Sequence, residues 1–162
     1  MAIGTIILPV LAAIPDPTNP PALAFTAANR AHLLFDGTTD ELVTWSDIRV
    51  PQNFASGMTI KWIYSMASAV TNVVAIRTEV MATAEDEDID TDNYAAVEAS
   101  ADDTVPATTA GNRGEISDAL GTPTIAAGDY MAIRVGRENA TSGTNATGDM
   151  EVWAVSLEYT TT

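Results

Sequence analysis

Apolar and polar side chains alternate along several stretches of this chain, and nowhere does a 3.6-residue period persist. A period of two marks a strand with one face against a core, so the chain is constrained to β-sheet. In Met58–Met66, residues Met58, Ile60, Trp62, Tyr64 and Met66 share one face. Thr59, Lys61 and Ser65 take the other, with Ile63 the exception. Further on, Val74, Ile76 and Val80 oppose Arg77 and Glu79, and Met131, Ile133 and Val135 oppose Arg134. The last run, Glu151 to Tyr159, carries apolar residues on both faces over much of its length, as expected of a central or interface-covered strand. Shorter candidates are Ala31 to Phe35, Glu41 to Trp45, Tyr94 to Ala99 and Glu115 to Ser117.

Turn signals separate these runs: Asp36-Gly37, Ser56-Gly57, Gly111 to Gly114, Gly128-Asp129 and Gly148-Asp149. Eight or nine short strands with such connections in 162 residues predict one antiparallel β-sandwich. Two connections, residues 82–93 and 137–148, are longer than a hairpin needs. They favour jelly-roll crossovers over an up-and-down meander.

The N-terminus is of another kind. Ile3 to Ile14 is apolar but spans 12 residues, short of the roughly 20 needed to cross a membrane. No basic residue precedes Arg30, so a secretory signal is not expected either. Four prolines in residues 15–21 exclude helix and make the chain extended and stiff. Residues 1–30 are therefore expected as an extended arm ahead of a jelly-roll domain at 31–162. Either they form a first strand and a rigid loop, or Ile6, Leu8, Val10 and Leu11 reach onto a neighbouring subunit.

Charge and composition now exclude whole classes of function. Seven Lys and Arg against 22 Asp and Glu give a net charge of -15, which disfavours contact with nucleic acid. Without cysteine there is no disulfide, thiolate metal site or cysteine nucleophile. The acids cluster: Glu85 to Asp92 holds six in eight residues. Asp86, Asp88, Asp90 and Asp92 are candidate calcium ligands, since hard cations take clustered carboxylates. The EF-hand pattern fails, because a loop begun at Asp86 puts Thr91 where glycine is required and Val97 at the twelfth place. A solvated acidic loop is the plainer expectation, and no other cofactor is implied.

His32 sits in an apolar strand context, and no glycine elbow surrounds Ser46 to complete a triad with it and Asp47. No catalytic role is expected. Trp62 belongs to an apolar face and hence to the core, whereas Trp45 and Trp153 are open as a platform for sugar or as interface residues. The sequons at Asn139 and Asn145 fall in a Thr/Asn/Gly-rich segment and read as accidental. With so few bases available, Arg49, Arg134 and Arg137 are candidates for interface ion pairs.

The segments Glu41–Trp45, Arg49–Trp62, Ala127–Arg137, Thr147–Glu151 and Ser156–Tyr159 together resemble the jelly-roll head-decoration, or cement, proteins of tailed bacteriophages. The resemblance spans roughly residues 35–159. It implies a non-enzymatic virion protein, a homotrimer bound to the major capsid protein on the exterior of the head, clamping the shell. Trp153 and the arginines above would then serve interfaces. A related placement is a tail or fibre jelly roll that binds host-surface glycan.

Overall fold

A computed structural model describes residues 2–95, 101–107, 109–138 and 143–162. Its strands are β1 (Ile3–Leu8), β2 (Ile14–Pro15), β3 (Ala22–Phe25), β4 (Ala31–Phe35), β5 (Glu41–Arg49) and β6 (Phe54–Met66). The rest are β7 (Val73–Thr83), β8 (Ala101–Thr104), β9 (Gly114–Leu120), β10 (Tyr130–Glu138) and β11 (Met150–Thr161). The face expected of β6 is buried throughout, from Met58 to Met66. Val74, Ile76 and Val80 on β7 and Met131, Ile133 and Val135 on β10 are buried likewise. Tyr94 and Ala95 are not in a strand, and residues 96–99 of that candidate lie outside the described ones.

Strands β4 to β11 form a long hairpin that has been rolled up. β4 pairs with β11, β5 with β10, β6 with β9 and β7 with β8, all antiparallel. The roll closes where β11 pairs with β6 and β10 with β7, giving sheets ordered β3-β4-β11-β6-β9 and β2-β5-β10-β7-β8. This is a jelly roll. The 137–148 connection crosses from β10 to β11 in the other sheet, whereas 82–93, expected as a second crossover, leads from β7 to its neighbour β8 in the same sheet. Short connections such as 36–40 and 50–53 make the other crossings. Between the sheets Phe35 meets Trp62 with ring centroids 5.7 Å apart, and Ile60, Ile76, Ile133 and Leu157 fill the layer around them. Burial of such side chains contributes roughly 1.5–3 kcal/mol each before chain entropy is subtracted.

The chain before β4 laces the two sheets together along one edge. β1 pairs with the second half of β11, its residues Ile3 to Leu8 opposite Thr160 to Val155. A single 3-10 turn at Val10–Ala12 then leads across to β2, which pairs with β5 in the other sheet. β3 returns to pair with β4. The Trp45 indole donates to the Pro9 carbonyl at 2.9 Å and pins the crossing. Residues 1–30, expected as an arm, thus supply three strands to the sandwich. Leu8 is buried in its core, with Ile6 and Val10 packed against it, while Leu11 stays exposed.

Candidate functional site

The site arises from a break in alternation on β11. Met150 and Val152 point into the core, but so do Val155, Leu157 and Tyr159, so the inward phase moves by one residue. Against β6, Val152 faces Tyr64 and Ala154 faces Ile63, leaving Trp153 as an inserted residue. A bulge of this sort re-aims a side chain. Here it sets Trp153 half-buried on the outer face of the sheet. The apolar residues that made β11 look two-sided are the mark of this bulge. A second one, on β5, sets Ile48 and Trp45 against Met131 and Ile133 of β10 and holds Asp47 at a φ of 59°.

Trp153 is fixed by three neighbours. Its indole nitrogen donates to Ser65 Oγ at 2.8 Å, and Ser65 in turn donates to Glu151 Oε2 at 2.6 Å. The His32 ring lies 4.4 Å from it, centroid to centroid, tilted by 33°. The Arg30 guanidinium stands 5.0 Å from the ring centroid, within cation–π range. Trp153, Ser65, Glu151 and Arg30 border a cleft of about 440 Å³ whose far wall carries Gly111 and Arg113. A second groove, lined by Ile7, Leu11 and Ala154, adjoins the other side of Trp153. The sequence singled out Trp153 but not Arg30, Ser65 or Glu151; the displaced phase of β11 was the available signal.

His32 is buried on the outer side of β4, whereas Ser46 and Asp47 belong to the other sheet, so no triad forms. Trp45 and Trp62 are core residues, 3% and 0% exposed. Arg134 binds within its own chain while about a third of its side chain stays exposed. Its Nε donates to Glu79 Oε2 at 2.6 Å, Arg77 reaches the other oxygen of Glu79, and Tyr94 stacks 4.6 Å from the Arg134 guanidinium. Glu79 is almost fully buried, and the two guanidinia satisfy its charge there. Arg137 is likewise 4% exposed and donates to the carbonyls of Gly148 and Ala146, each at 2.6 Å. Burial chiefly pushes its basicity down, against the pull of Asp149, Asp36 and Glu41. Both arginines thus bind groups of their own chain, Arg134 a carboxylate 55 residues away and Arg137 two carbonyls 9 and 11 residues away. Arg49 is the most exposed of the three, in a cleft of about 490 Å³ with Asp47, Glu85 and Tyr130.

The side chains of Asp86, Asp88 and Asp90 are exposed and do not gather around a common point. Asp88 accepts from the Asp90 amide at 3.2 Å, and Asp92 accepts from Thr83 Oγ1 at 2.6 Å. Among the described residues no group of three or more His, Asp or Glu is placed to hold a metal. Asn145 bridges to Val73, and Asn139 lies outside the described residues. Tyr64 points into the sandwich and donates to Asp103 Oδ2 at 2.6 Å; burial first, then this bond, hold its phenol protonated. No described helix is long and apolar enough to cross a membrane.

No family model matches the chain, and no curated protein matches it either. Solved structures do. The CBM22-2 xylan-binding domain from Paenibacillus barcinonensis Xyn10C is 15% identical, covers 94% of both chains and superimposes with a TM-score of 0.50. The xylan-binding module CBM15 is 8% identical over 99% of both chains, with a TM-score of 0.48. A structure of infectious bursal disease virus Gx strain matches 97% of this chain and 31% of its own, at 11% identity and a TM-score of 0.40. At these identities the likeness is one of fold: this chain has the jelly-roll sandwich also used by carbohydrate-binding modules.

Proposed function

We propose that this protein is a virion structural protein, a capsid decoration protein that binds the outer surface of a phage head as a homotrimer and stabilises the shell without catalysis. The observation that carries this reading is where apolar surface stays exposed. Of the eight large apolar side chains that stand exposed among the described residues, six, Ile3, Ile7, Leu11, Ile14, Leu23 and Phe25, at 49% to 71%, belong to the first 25 residues; Val70 and Ile89 are the other two. Asp16 is the only charged side chain before Arg30. In a chain of net charge -15, like-charged copies repel everywhere except at such a neutral apolar edge. The edge is also stiff, being laced into both sheets, so little entropy is lost when it docks. A protein that prefers the assembled shell stabilises it by mass action and needs no reactive group. An acidic outward surface would also avoid sticking to released DNA.

The test is sedimentation of the isolated protein, followed by co-sedimentation with expanded capsids built from the shell protein of the same genome. A trimer that decorates the capsids at saturable stoichiometry is expected. A monomer that leaves the capsids bare overturns the reading, and so does a trimer that adsorbs to host cells and ignores capsids. A tail or fibre placement would then follow, and the Trp153 cleft is the feature that favours it.

A further inference from the structure

We propose that the cleft beside Trp153 binds a saccharide carrying an acidic substituent. The proposal stands apart from the capsid reading, because it concerns a concave site with an aromatic wall and a few charged and hydroxyl groups, Arg30, Ser65 and Glu151. Such sites combine an apolar face with a few convergent polar groups. Trp153 supplies the face, on which the C–H surface of a sugar ring can stack. The bulge gives it no inward role, since the core is complete with Val152 and Val155 on either side.

The polar groups are ordered before any ligand arrives. Ser65 is 2% exposed and joins Trp153 to Glu151, which leaves the second Glu151 oxygen able to accept from a sugar hydroxyl. Arg30 is set by a tight turn between β3 and β4. Its amide donates to Thr26 Oγ1 at 3.1 Å, its carbonyl accepts from the Thr26 amide at 3.0 Å, and Asn29 takes a φ of 59°.

The charge of Arg30 points to the acidic group. The chain has 22 carboxylates, yet among the described residues Arg30 pairs with none of them. It stands instead over the indole, exposed at the cleft mouth, where its planar fork can take a carboxylate or sulfate side-on. Arg113, across the cleft, already pairs with Glu115. Arg30 is therefore the donor left for a ligand anion.

The experiment is calorimetric titration of the full chain with two hexasaccharides that each carry a single acidic group, one a uronic carboxylate and one a sulfate, and, as the neutral control, cellohexaose. Because Trp45 and Trp62 are buried, a change in tryptophan emission on titration also reports Trp153. Saturable binding of an acidic hexamer is expected, weakened about tenfold or more in Trp153→Ala and in Glu151→Gln. Arg30→Ala is expected to abolish the preference for the acidic hexamer over cellohexaose, a loss of about tenfold. Thermal melts of the three variants establish that each is folded. No binding of any probe at millimolar concentration overturns the proposal, as does binding that survives Trp153→Ala. Equal affinity for cellohexaose and the acidic hexamers overturns its acidic part. None of these outcomes depends on whether the protein decorates capsids.

Discussion

β6 and β11 lie side by side in one sheet, and over Met58–Met66 of β6 the ladder is interrupted by one inserted residue, on β11. β6 alternates without interruption from Met58 to Met66 and all of that face is core. β11 alternates, stops at Trp153, and resumes one residue out of phase. Every odd-man-out side chain on β6 would damage the interior, whereas the extra one on β11 costs the interior nothing and stands free on the surface. A strand can thus carry a binding residue without giving up a packing residue, provided the chain is one residue longer than the ladder requires.

The sharpest way to test that contrast is deletion. Removing Trp153 brings Val152, Val155 and Leu157 into one unbroken alternation, so the protein is expected to fold with a cooperative melt. Removing Ile63 throws half of β6 to the wrong face and is expected to abolish folding. Circular dichroism melts separate the outcomes, and an unfolded Trp153 deletion would end the bulge argument.

Next in size are the two tryptophans themselves. Trp62→Ala is expected to cost about 3–5 kcal/mol in urea unfolding, from lost burial and the cavity left behind. Trp153→Ala is expected to cost about 1 kcal/mol or less. The docking of β1 on β11 comes third. A Cβ at Gly4 would overlap the Tyr159 ring, so Gly4→Ala should destabilise by about 1–3 kcal/mol and increase hydrogen exchange across β1. A change of the same order as Trp153→Ala is Tyr64→Phe, which leaves Asp103 half-buried without its donor. About 1 kcal/mol is expected, read from the urea midpoint.

How much of this was legible depended on how local the cause was. The faces of β6, β7 and β10 follow from residues two apart, and so could be read directly. The jelly roll was expected from two long connections, but only 137–148 changes sheet; 82–93 links the neighbours β7 and β8, and the other crossings run through short segments whose length does not mark them. The partners of Arg134 and Arg137 could not be read: Glu79 lies 55 residues before Arg134, and carbonyls carry no sequence signature. The expected arm went the same way, because pairing Ile3–Leu8 with the last strand is decided by contacts more than 140 residues apart. The Trp153 cleft was half legible. The phase shift from Val152 to Val155 is in the sequence, but that it signals an insertion and not a two-sided strand depends on the register against β6.

The lacing of β1 onto β11 has one further consequence. The Thr161 amide donates to the Ala2 carbonyl at 3.0 Å, so residues 2 and 161 are immediate neighbours. A linker of a few residues can therefore close the backbone into a ring, and new ends can be opened in the exposed run from Glu85 to Thr91. A cargo attached at those new ends would be carried on the acidic connection.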